Sequence, residues 1–79
     1  MGSGTRVSKK LISAKDLSLA AHVSYAAINN YTDMGLLDVV AKKNRVRMYE
    51  ANRAKGRLLM ISRLISEGYT LRVIGKLLK

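Results

Sequence analysis

The segment VSYAAINNYTDMGLL, residues 23–37, decides the fold. Ser24 is a favourable helix N-cap, because its hydroxyl can accept a hydrogen bond from the free N–H groups of a first turn. Gly35 suits the left-handed conformation that commonly ends a helix. Between them, apolar side chains recur at the spacing of one helix face: Ala27, Ile28, Tyr31 and Met34. The segment therefore predicts a short helix bounded by Ser24 and Gly35.

Another short helix is predicted immediately before this segment. Ser13, followed three residues later by Asp16, is close to a capping box, and the carboxylate also favours the positive end of the helix dipole. Apolar spacing extends this helix over about residues 14–21. His22 and Val23 interrupt it, and we interpret His22 as a turn residue rather than a metal ligand. Two short helices joined by a turn of three or four residues predict a helix-turn-helix.

After the helix-turn-helix, the apolar pattern changes from helical spacing to alternation. Leu37, Val39 and Ala41 alternate with other residues, and residues 46–49 alternate again. The polar stretch KKNR, residues 42–45, separates the two runs. We predict a hairpin with its tip at this stretch, although no Asn-Gly or Asp-Gly fixes the turn. Because a two-stranded hairpin is not stable alone, it must lean on the helices as a wing.

Two further helices are predicted in the C-terminal part of the chain. Residues 51–66 carry one apolar stripe, which consists of Ala54, Leu58, Ile61, Leu64 and Ile65. Gly68 ends this helix, and Thr70 caps a final helix over residues 71–78. The side chains of the final helix expected to face inward are Leu71, Ile74, Leu77 and Leu78. Gly56 costs the longer helix about 1 kcal/mol relative to Ala, and is either tolerated or a site of close packing.

These elements together predict a mainly α fold with a small β-hairpin wing, a winged helix-turn-helix of about four helices. A chain of 79 residues encloses only one hydrophobic core. We expect a single domain over residues 11–79. Residues 1–10 are predicted to be a flexible N-terminal segment, in part an expression tag.

The composition restricts the chemistry of the chain more than its length does. There is no Cys and only one His, which excludes disulfides, thiolate metal sites and a His-rich ligand set. No nucleophile–base pair and no phosphate-binding loop is present, so we predict that the protein is not an enzyme and uses no cofactor. No apolar run approaches a membrane span, and no targeting segment is seen, so we expect a cytoplasmic, nucleoid-associated protein.

The charge of the chain points to a polyanionic partner. Fifteen Lys and Arg residues against five Asp and Glu residues give a formal net charge of +10. A strongly basic, compact domain is typical of proteins that bind nucleic acid and, as a second choice, anionic membrane surfaces. Charge alone does not choose between them.

Three stretches of the sequence, in the right order and spacing, resemble the DNA-binding domain of the MerR family of bacterial transcription regulators. The first is residues 23–37, which follow the pattern Val-Ser-x-x-x-Ile-x-x-Tyr-x-x-x-Gly-Leu-Leu. The second is the Arg-x-Tyr of residues 47–49, which closes the wing in the family. The third is LISEGYTLRVIGKLL, residues 64–78, which resembles the end of the family's domain. The resemblance covers about residues 11–78.

The resemblance implies a transcription regulator that binds double-stranded DNA, and three departures accompany it. Asn29 and Asn30 stand where the family commonly has an Arg before Tyr31. The wing tip lacks the family's frequent Gly-x-Arg. The chain stops after Lys79, whereas full regulators continue into a dimerising helix and an effector-binding region. We therefore expect an isolated or stand-alone domain whose dimerisation region, if it has one, is absent from this chain, and which has no small-molecule effector site.

The candidate DNA-binding residues lie on the second helix and the wing. Asn29 and Asn30 are predicted to read bases, because Asn can bond bidentately to adenine. Ser24 and Tyr25 can donate hydroxyls to phosphate at the helix N-terminus. Ala26 permits close approach. The remaining candidates are cations, wing residues and one aromatic residue that either packs in the core or contacts phosphate: Lys15, Tyr31, Lys42, Lys43, Asn44, Arg45 and Arg47.

Two other functions compete with a transcription regulator. A small architectural DNA-binding protein of the excisionase type is also basic and needs no effector region. A protein-interaction module, which would use the apolar C-terminal helix of residues 71–78, belongs to a different class. The Tyr49 side chain is expected in the core, with its hydroxyl directed at phosphates as the less favoured option.

Overall fold

The computed structural model describes residues 10–78 as a mainly helical domain with one small antiparallel sheet. Its elements in chain order are β1 (Leu11–Ser13), α1 (Ala14–Ala21), α2 (Tyr25–Asp33), β2 (Ala41–Lys43), β3 (Val46–Glu50), α3 (Ala51–Ser66) and α4 (Leu71–Leu77). Four helices and a β-hairpin confirm the predicted winged helix-turn-helix. Most of the predicted N-terminal segment, residues 1–9, lies outside the described residues, so its flexibility stays a prediction.

The N-caps of the two short helices are the predicted serines. The Ser13 Oγ accepts a hydrogen bond of 3.1 Å from the Asp16 backbone N–H at the start of α1. The Ser24 Oγ accepts an equivalent bond of 3.1 Å from the Ala27 N–H at the start of α2. Between the two helices, His22 adopts a left-handed conformation with φ 56°, and this reverses the chain. The predicted helix-turn-helix is therefore confirmed.

Glycine ends α2 and α3 through the same hydrogen-bonding motif. Gly35, with φ 82°, donates to the Thr32 carbonyl, and the next N–H, that of Leu36, donates to the Tyr31 carbonyl. Gly68, with φ 99°, repeats this pattern after α3. The pair of bonds is a Schellman motif, which requires a left-handed residue that glycine adopts without steric cost. Both predicted helix ends are confirmed.

The sheet contains a strand that the sequence did not reveal. β1 pairs antiparallel with β3, which also pairs with β2, so that β3 is the central strand. Three residues are too few to display an alternating pattern, and their strand conformation comes from pairing with β3 rather than from local preference. Immediately before β1, the Lys10 carbonyl accepts a hydrogen bond from the Ala51 N–H. The wing is thereby anchored to the start of α1.

The hairpin is shorter than predicted and its tip is narrower. Its first strand begins at Ala41 instead of Leu37, because Leu37 is buried in the hydrophobic core, where it packs beneath the helices. The wing tip is not residues 42–45 but only Asn44 and Arg45, with φ values of 52° and 69°. Two consecutive left-handed residues form a type I′ turn, the turn that matches strand twist in a two-residue hairpin. Asn tolerates this conformation better than most residues.

Two adjacent hydrophobic clusters form the core. The larger one lies between the helix-turn-helix, the sheet and α3, and contains Ala14, Leu17, Ile28, Leu37, Tyr49, Ala54 and Leu58. The smaller one holds α4 against α3 and contains Leu36, Ile61 and Ile74. The half-buried Tyr31 packs against both clusters and joins them.

Two residues predicted to face inward are instead exposed. Ile65 is 43% exposed and Leu77 is 55% exposed. Ile65 lies on the predicted stripe but close to the end of α3, and Leu64 packs against the smaller cluster instead. The helical spacing of the residues was correct, but the extent of each covered face depends on where the neighbouring helix ends.

Gly56 provides a stability prediction that tests the helix itself. An added Cβ would meet no atom within 4 Å, so the close-packing interpretation of Gly56 is wrong. We expect Gly56→Ala to raise the free energy of unfolding by about 1 kcal/mol, because Ala has the higher helix propensity. Gly68→Ala is the matched control: it should lower stability, since φ is 99° there and Ala is strained at positive φ. Urea denaturation measures both, and an unchanged or lower stability for Gly56→Ala would contradict the prediction.

Candidate nucleic-acid interface

An open groove separates the N-terminal ends of α1 and α2 from the wing. Five of the residues predicted to bind DNA line it: Lys15, Tyr25, Asn29, Arg45 and Arg47. They come from three separate elements, which the packing of β3 against α1 and α2 brings together. The sequence placed them on one surface only through the resemblance to a family, whereas the groove shows their proximity directly.

The exposed face of α2 is defined by the residue that anchors its other face. Ile28 is completely buried in the larger core cluster. At 100° per residue, Ala26 and Asn30 lie almost opposite Ile28, and both are exposed. Asn29 lies to one side, is half-buried and faces the groove. The two asparagines therefore occupy different surroundings, one on the outermost face of α2 and the other beside the wing.

The first turn of α2 presents hydroxyl groups. The Ser24 Oγ is occupied as an acceptor by the Ala27 N–H, but its own O–H remains able to donate. Tyr25 is 54% exposed and lines the groove. Both residues are at the end of α2 where the helix dipole is positive and backbone N–H groups are free. This combination is favourable for a phosphate group.

The strand register divides the wing cations between two faces of the sheet. Lys42 lies directly opposite Arg47, so these two side chains leave the same face, the one on which Tyr49 enters the core. Lys43 lies opposite Val46, so it leaves the other face. The two lysines therefore lie on opposite faces of the hairpin, and neither of them lines the groove.

The turn between the strands presents two further candidates at the end of the wing. Asn44 and Arg45 are both exposed, and Arg45 also lines the groove. Tyr31, in contrast, does not line the groove, and its packing against both core clusters accounts for its half-buried position.

Arg47 forms an ion pair that the sequence did not reveal. Its guanidinium Nη2 lies 3.0 Å from the Asp33 Oδ1, in a hydrogen bond between β3 and the last residue of α2. This hydrogen bond raises the pKa of Arg47 above its ordinary value. Fourteen residues separate the partners, and only the tertiary packing of the wing on α2 brings them into contact. No spacing rule in the sequence could have found Asp33.

A second polar contact joins the same two elements. The hydroxyls of Thr32 and Tyr49 lie 2.7 Å apart, and the Thr32 hydroxyl is also 2.7 Å from the Ile28 carbonyl, to which it donates. Since Thr32 has only one hydroxyl hydrogen, the Tyr49 O–H is the donor to the Thr32 Oγ1. The option that this hydroxyl is directed at phosphate is therefore wrong: Tyr49 is fully buried and its hydroxyl is used inside the protein.

Most of the cations predicted to bind DNA form no ion pair within the described residues. Away from the groove, Arg53 lies 3.9 Å from Asp38, and Arg63 lies 3.8 Å from Glu67. The Glu50 carboxylate caps α3 by accepting bonds from the Asn52 and Arg53 N–H groups. Within residues 10–78, the candidate cations that form no ion pair are Lys15, Lys42, Lys43 and Arg45. These side chains are available to an external polyanion.

Over residues 10–78, no group of three or more His, Asp or Glu side chains is arranged to hold a metal ion. Nor does any helix in that range have the length and apolar character required to cross a membrane.

Comparison with known proteins gives one match. Residues 12–79 match the family model described as MerR HTH family regulatory protein. No curated protein and no solved structure matches the chain significantly. The family match covers the helix-turn-helix, the wing and both C-terminal helices.

Proposed function

The chain belongs to the MerR family of helix-turn-helix regulatory proteins, whose members are DNA-binding transcription regulators rather than enzymes, and on this premise we propose how it binds DNA. The domain, residues 11–79, binds double-stranded DNA sequence-specifically, with α2 in the major groove. The wing lies on the flanking backbone or in the adjacent minor groove. DNA is thus its partner, and the protein acts in the compartment that holds DNA.

The groove between α2 and the wing is the observation that carries this proposal. It joins a helix N-terminus, an amide side chain and three cations on one concave surface, whose lining includes Lys15, Tyr25, Asn29, Arg45 and Arg47 and one carboxylate, that of Asp16. DNA recognition needs both kinds of group, because cations neutralise phosphates while amides and hydroxyls read base edges. Neither an apolar ligand nor a protein core would favour this combination of side chains.

The exposed face of α2 supplies the groups that read bases. Asn30 projects from the outermost face, and Asn29 lies beside it on the groove side. Each can bond bidentately to the N6 and N7 edge of adenine, which discriminates against other bases by about 1–3 kcal/mol. The small side chain of Ala26 on the same face allows the helix backbone to approach the bases closely. Ser24 and Tyr25 bind phosphate at the N-terminus of α2.

The remaining cations bind the DNA backbone on both sides of α2. Lys15 at the start of α1 contacts phosphate on one side. Lys42 and Arg45 contact it through the wing, together with Lys43 and Asn44 where the DNA backbone reaches the second face of the hairpin. Because these contacts do not depend on base identity, they supply affinity rather than specificity.

DNA binding by the domain should depend steeply on salt. With about five or six phosphate contacts, the logarithm of the association constant should fall with the logarithm of salt concentration at a slope near −5. Fluorescence anisotropy with a short random duplex measures this slope. An NMR titration of the same complex should shift residues 24–31 and 42–47 most. A slope near zero, or shifts confined to α3 and α4, would exclude the proposal.

Protein interaction through α4 is the second candidate, and the exposure of two apolar residues favours it. Val73 and Leu77 are 39% and 55% exposed and lie four positions apart, so they share one face of the helix. This face is distinct from the groove residues. A Val73→Ser, Leu77→Ser protein that retains full DNA affinity would assign α4 no part in DNA binding.

A further inference from the structure

The proposed DNA contacts do not explain the ion pair between Asp33 and Arg47. A carboxylate on the outward side of a DNA-reading helix would ordinarily repel phosphate. Asp33 is nevertheless the last residue of α2, and its side chain is 65% exposed. Its Oδ1 is bonded to the one groove-lining arginine that belongs to the central strand, Arg47. The pair therefore lies between the two elements that are proposed to hold the DNA.

We propose that Asp33 is a specificity-determining positioning residue that keeps Arg47 away from phosphate and fixes the wing to α2. This role concerns DNA binding and therefore rests on the function proposed above. Arg47, which the sequence predicted to contact DNA, instead acts as a structural link between the wing and α2. Lys42 and Arg45 remain the wing's phosphate contacts.

The geometry supports this structural link because two successive residues of α2 bond two residues of β3. Asp33 bonds Arg47, and Thr32 bonds Tyr49, both from the same face of the strand. The Tyr49 end is fully buried, so it fixes the position of the strand. The Arg47 end, with its side chain 34% exposed, resists rotation of the hairpin about that fixed point. The positive guanidinium also lies at the negative end of the α2 dipole, which favours this position.

The physical consequence is a difference between binding to any DNA and binding to the correct site. A free guanidinium beside α2 would bind phosphate whatever the sequence, and it would strengthen non-specific binding. When Asp33 engages the guanidinium, Arg47 makes no such contribution to the affinity for non-specific DNA. A wing held at a fixed distance from α2 also loses less conformational freedom when it binds a correctly spaced site. Asp33 thereby increases the difference in affinity between the specific site and random DNA.

The decisive experiment measures salt slopes for Asp33→Asn, with Asp38→Asn as the matched control. Both substitutions remove one negative charge and break an ion pair to an arginine, but only Asp33 pairs with an arginine that lines the groove. The probes are a random 16-base-pair duplex pool and a duplex selected from that pool by the unmodified protein. For Asp33→Asn we expect a slope on the random pool steeper by about 0.9, which is about a 3.5-fold larger loss of affinity between 50 and 200 mM salt. The ratio of selected to random affinity should fall, and Asp38→Asn should leave both quantities unchanged.

Arg47→Gln determines whether the guanidinium itself contacts DNA in the unmodified protein. If Arg47 is a structural link, Arg47→Gln alone leaves the salt slope unchanged. In the double variant with Asp33→Asn, Arg47→Gln removes the steepening of the slope that Asp33→Asn causes. A slope shallower by about 0.9 for Arg47→Gln alone would overturn the proposal, as would equal slopes for Asp33→Asn and Asp38→Asn. If the unmodified protein binds neither duplex at low salt, the proposed DNA-binding function itself fails. Thermal unfolding of each variant verifies that the fold is retained.

Discussion

Replacing Lys42 and Arg45 together by Gln is expected to weaken binding to a short duplex on the order of 100-fold at 50 mM salt. Each phosphate contact contributes about 0.9 to the log–log salt slope, and at 50 mM this amounts to roughly tenfold in affinity for each contact. The slope should therefore fall in magnitude from near 5 to about 3. Both side chains are exposed, so the fold should be unaffected. Fluorescence anisotropy over a series of salt concentrations measures both quantities.

A matched variant distinguishes the effect of the wing cations on DNA binding from the effect of net charge. Lys55→Gln with Arg72→Gln removes the same two charges from exposed positions on α3 and α4, whose residues do not line the groove. We expect this variant to keep a slope near that of the unmodified protein. If the two double variants weaken binding equally, the interaction depends on overall charge, and the wing has no special role. If neither changes partner binding, the protein-interaction function of α4 becomes the better explanation.

Tyr49→Ala is expected to lower the free energy of unfolding by about 3–5 kcal/mol, the range for truncation of a large buried aromatic residue. Tyr49 is fully buried at the centre of the sheet, packs in the larger core cluster and bonds Thr32. Because a domain of this size has only about 4–12 kcal/mol of stability, much of the chain should unfold near physiological temperature. Urea denaturation followed by circular dichroism measures the change.

Two tyrosine variants serve as controls for this prediction. Tyr25 is 54% exposed, so Tyr25→Ala should change stability by no more than about 0.5 kcal/mol. Tyr49→Phe keeps the ring and removes only the hydroxyl, and it should cost about 1 kcal/mol. A Tyr49→Ala protein as stable as Tyr25→Ala would show that Tyr49 is not a core residue. Tyr25→Ala and Tyr49→Ala also distinguish effects on DNA binding from effects on stability, because Tyr25 belongs to the proposed phosphate contacts and Tyr49 does not.

The helices could be predicted from the sequence because their determinants are local. Ser13, Ser24 and Thr70 are N-caps whose hydroxyls bond N–H groups three residues away. Gly35 and Gly68 end helices through their own backbone conformation. Apolar spacing then fills each interval between a start and an end. These interactions all lie within a few residues of one another, so they can be recognised in the sequence.

The wing was predicted less well because its strands depend on partners distant in sequence. β1 is a strand only because β3 lies beside it, and Leu37 is a core residue only because helices cover it. The turn of Asn44 and Arg45 lacks glycine, so the usual hairpin signal was missing. The exposure of Ile65 and Leu77 likewise depends on where neighbouring helices end.

By itself, the sequence determined the four helices, the N-caps of three of them, the presence of a basic hairpin and the family. Composition also determined that the chain forms no disulfide and no thiolate metal site, since its 79 residues contain no Cys. Only the tertiary structure decided which candidate residues share a surface: it joined Lys15, Asn29 and Arg45 across one groove and placed Lys42 and Lys43 on opposite faces of the hairpin. It also paired Arg47 with Asp33, fourteen residues away. The physical reason is that caps and helix periods are short-range interactions, whereas strand register and ion pairing depend on long-range packing that no local pattern specifies.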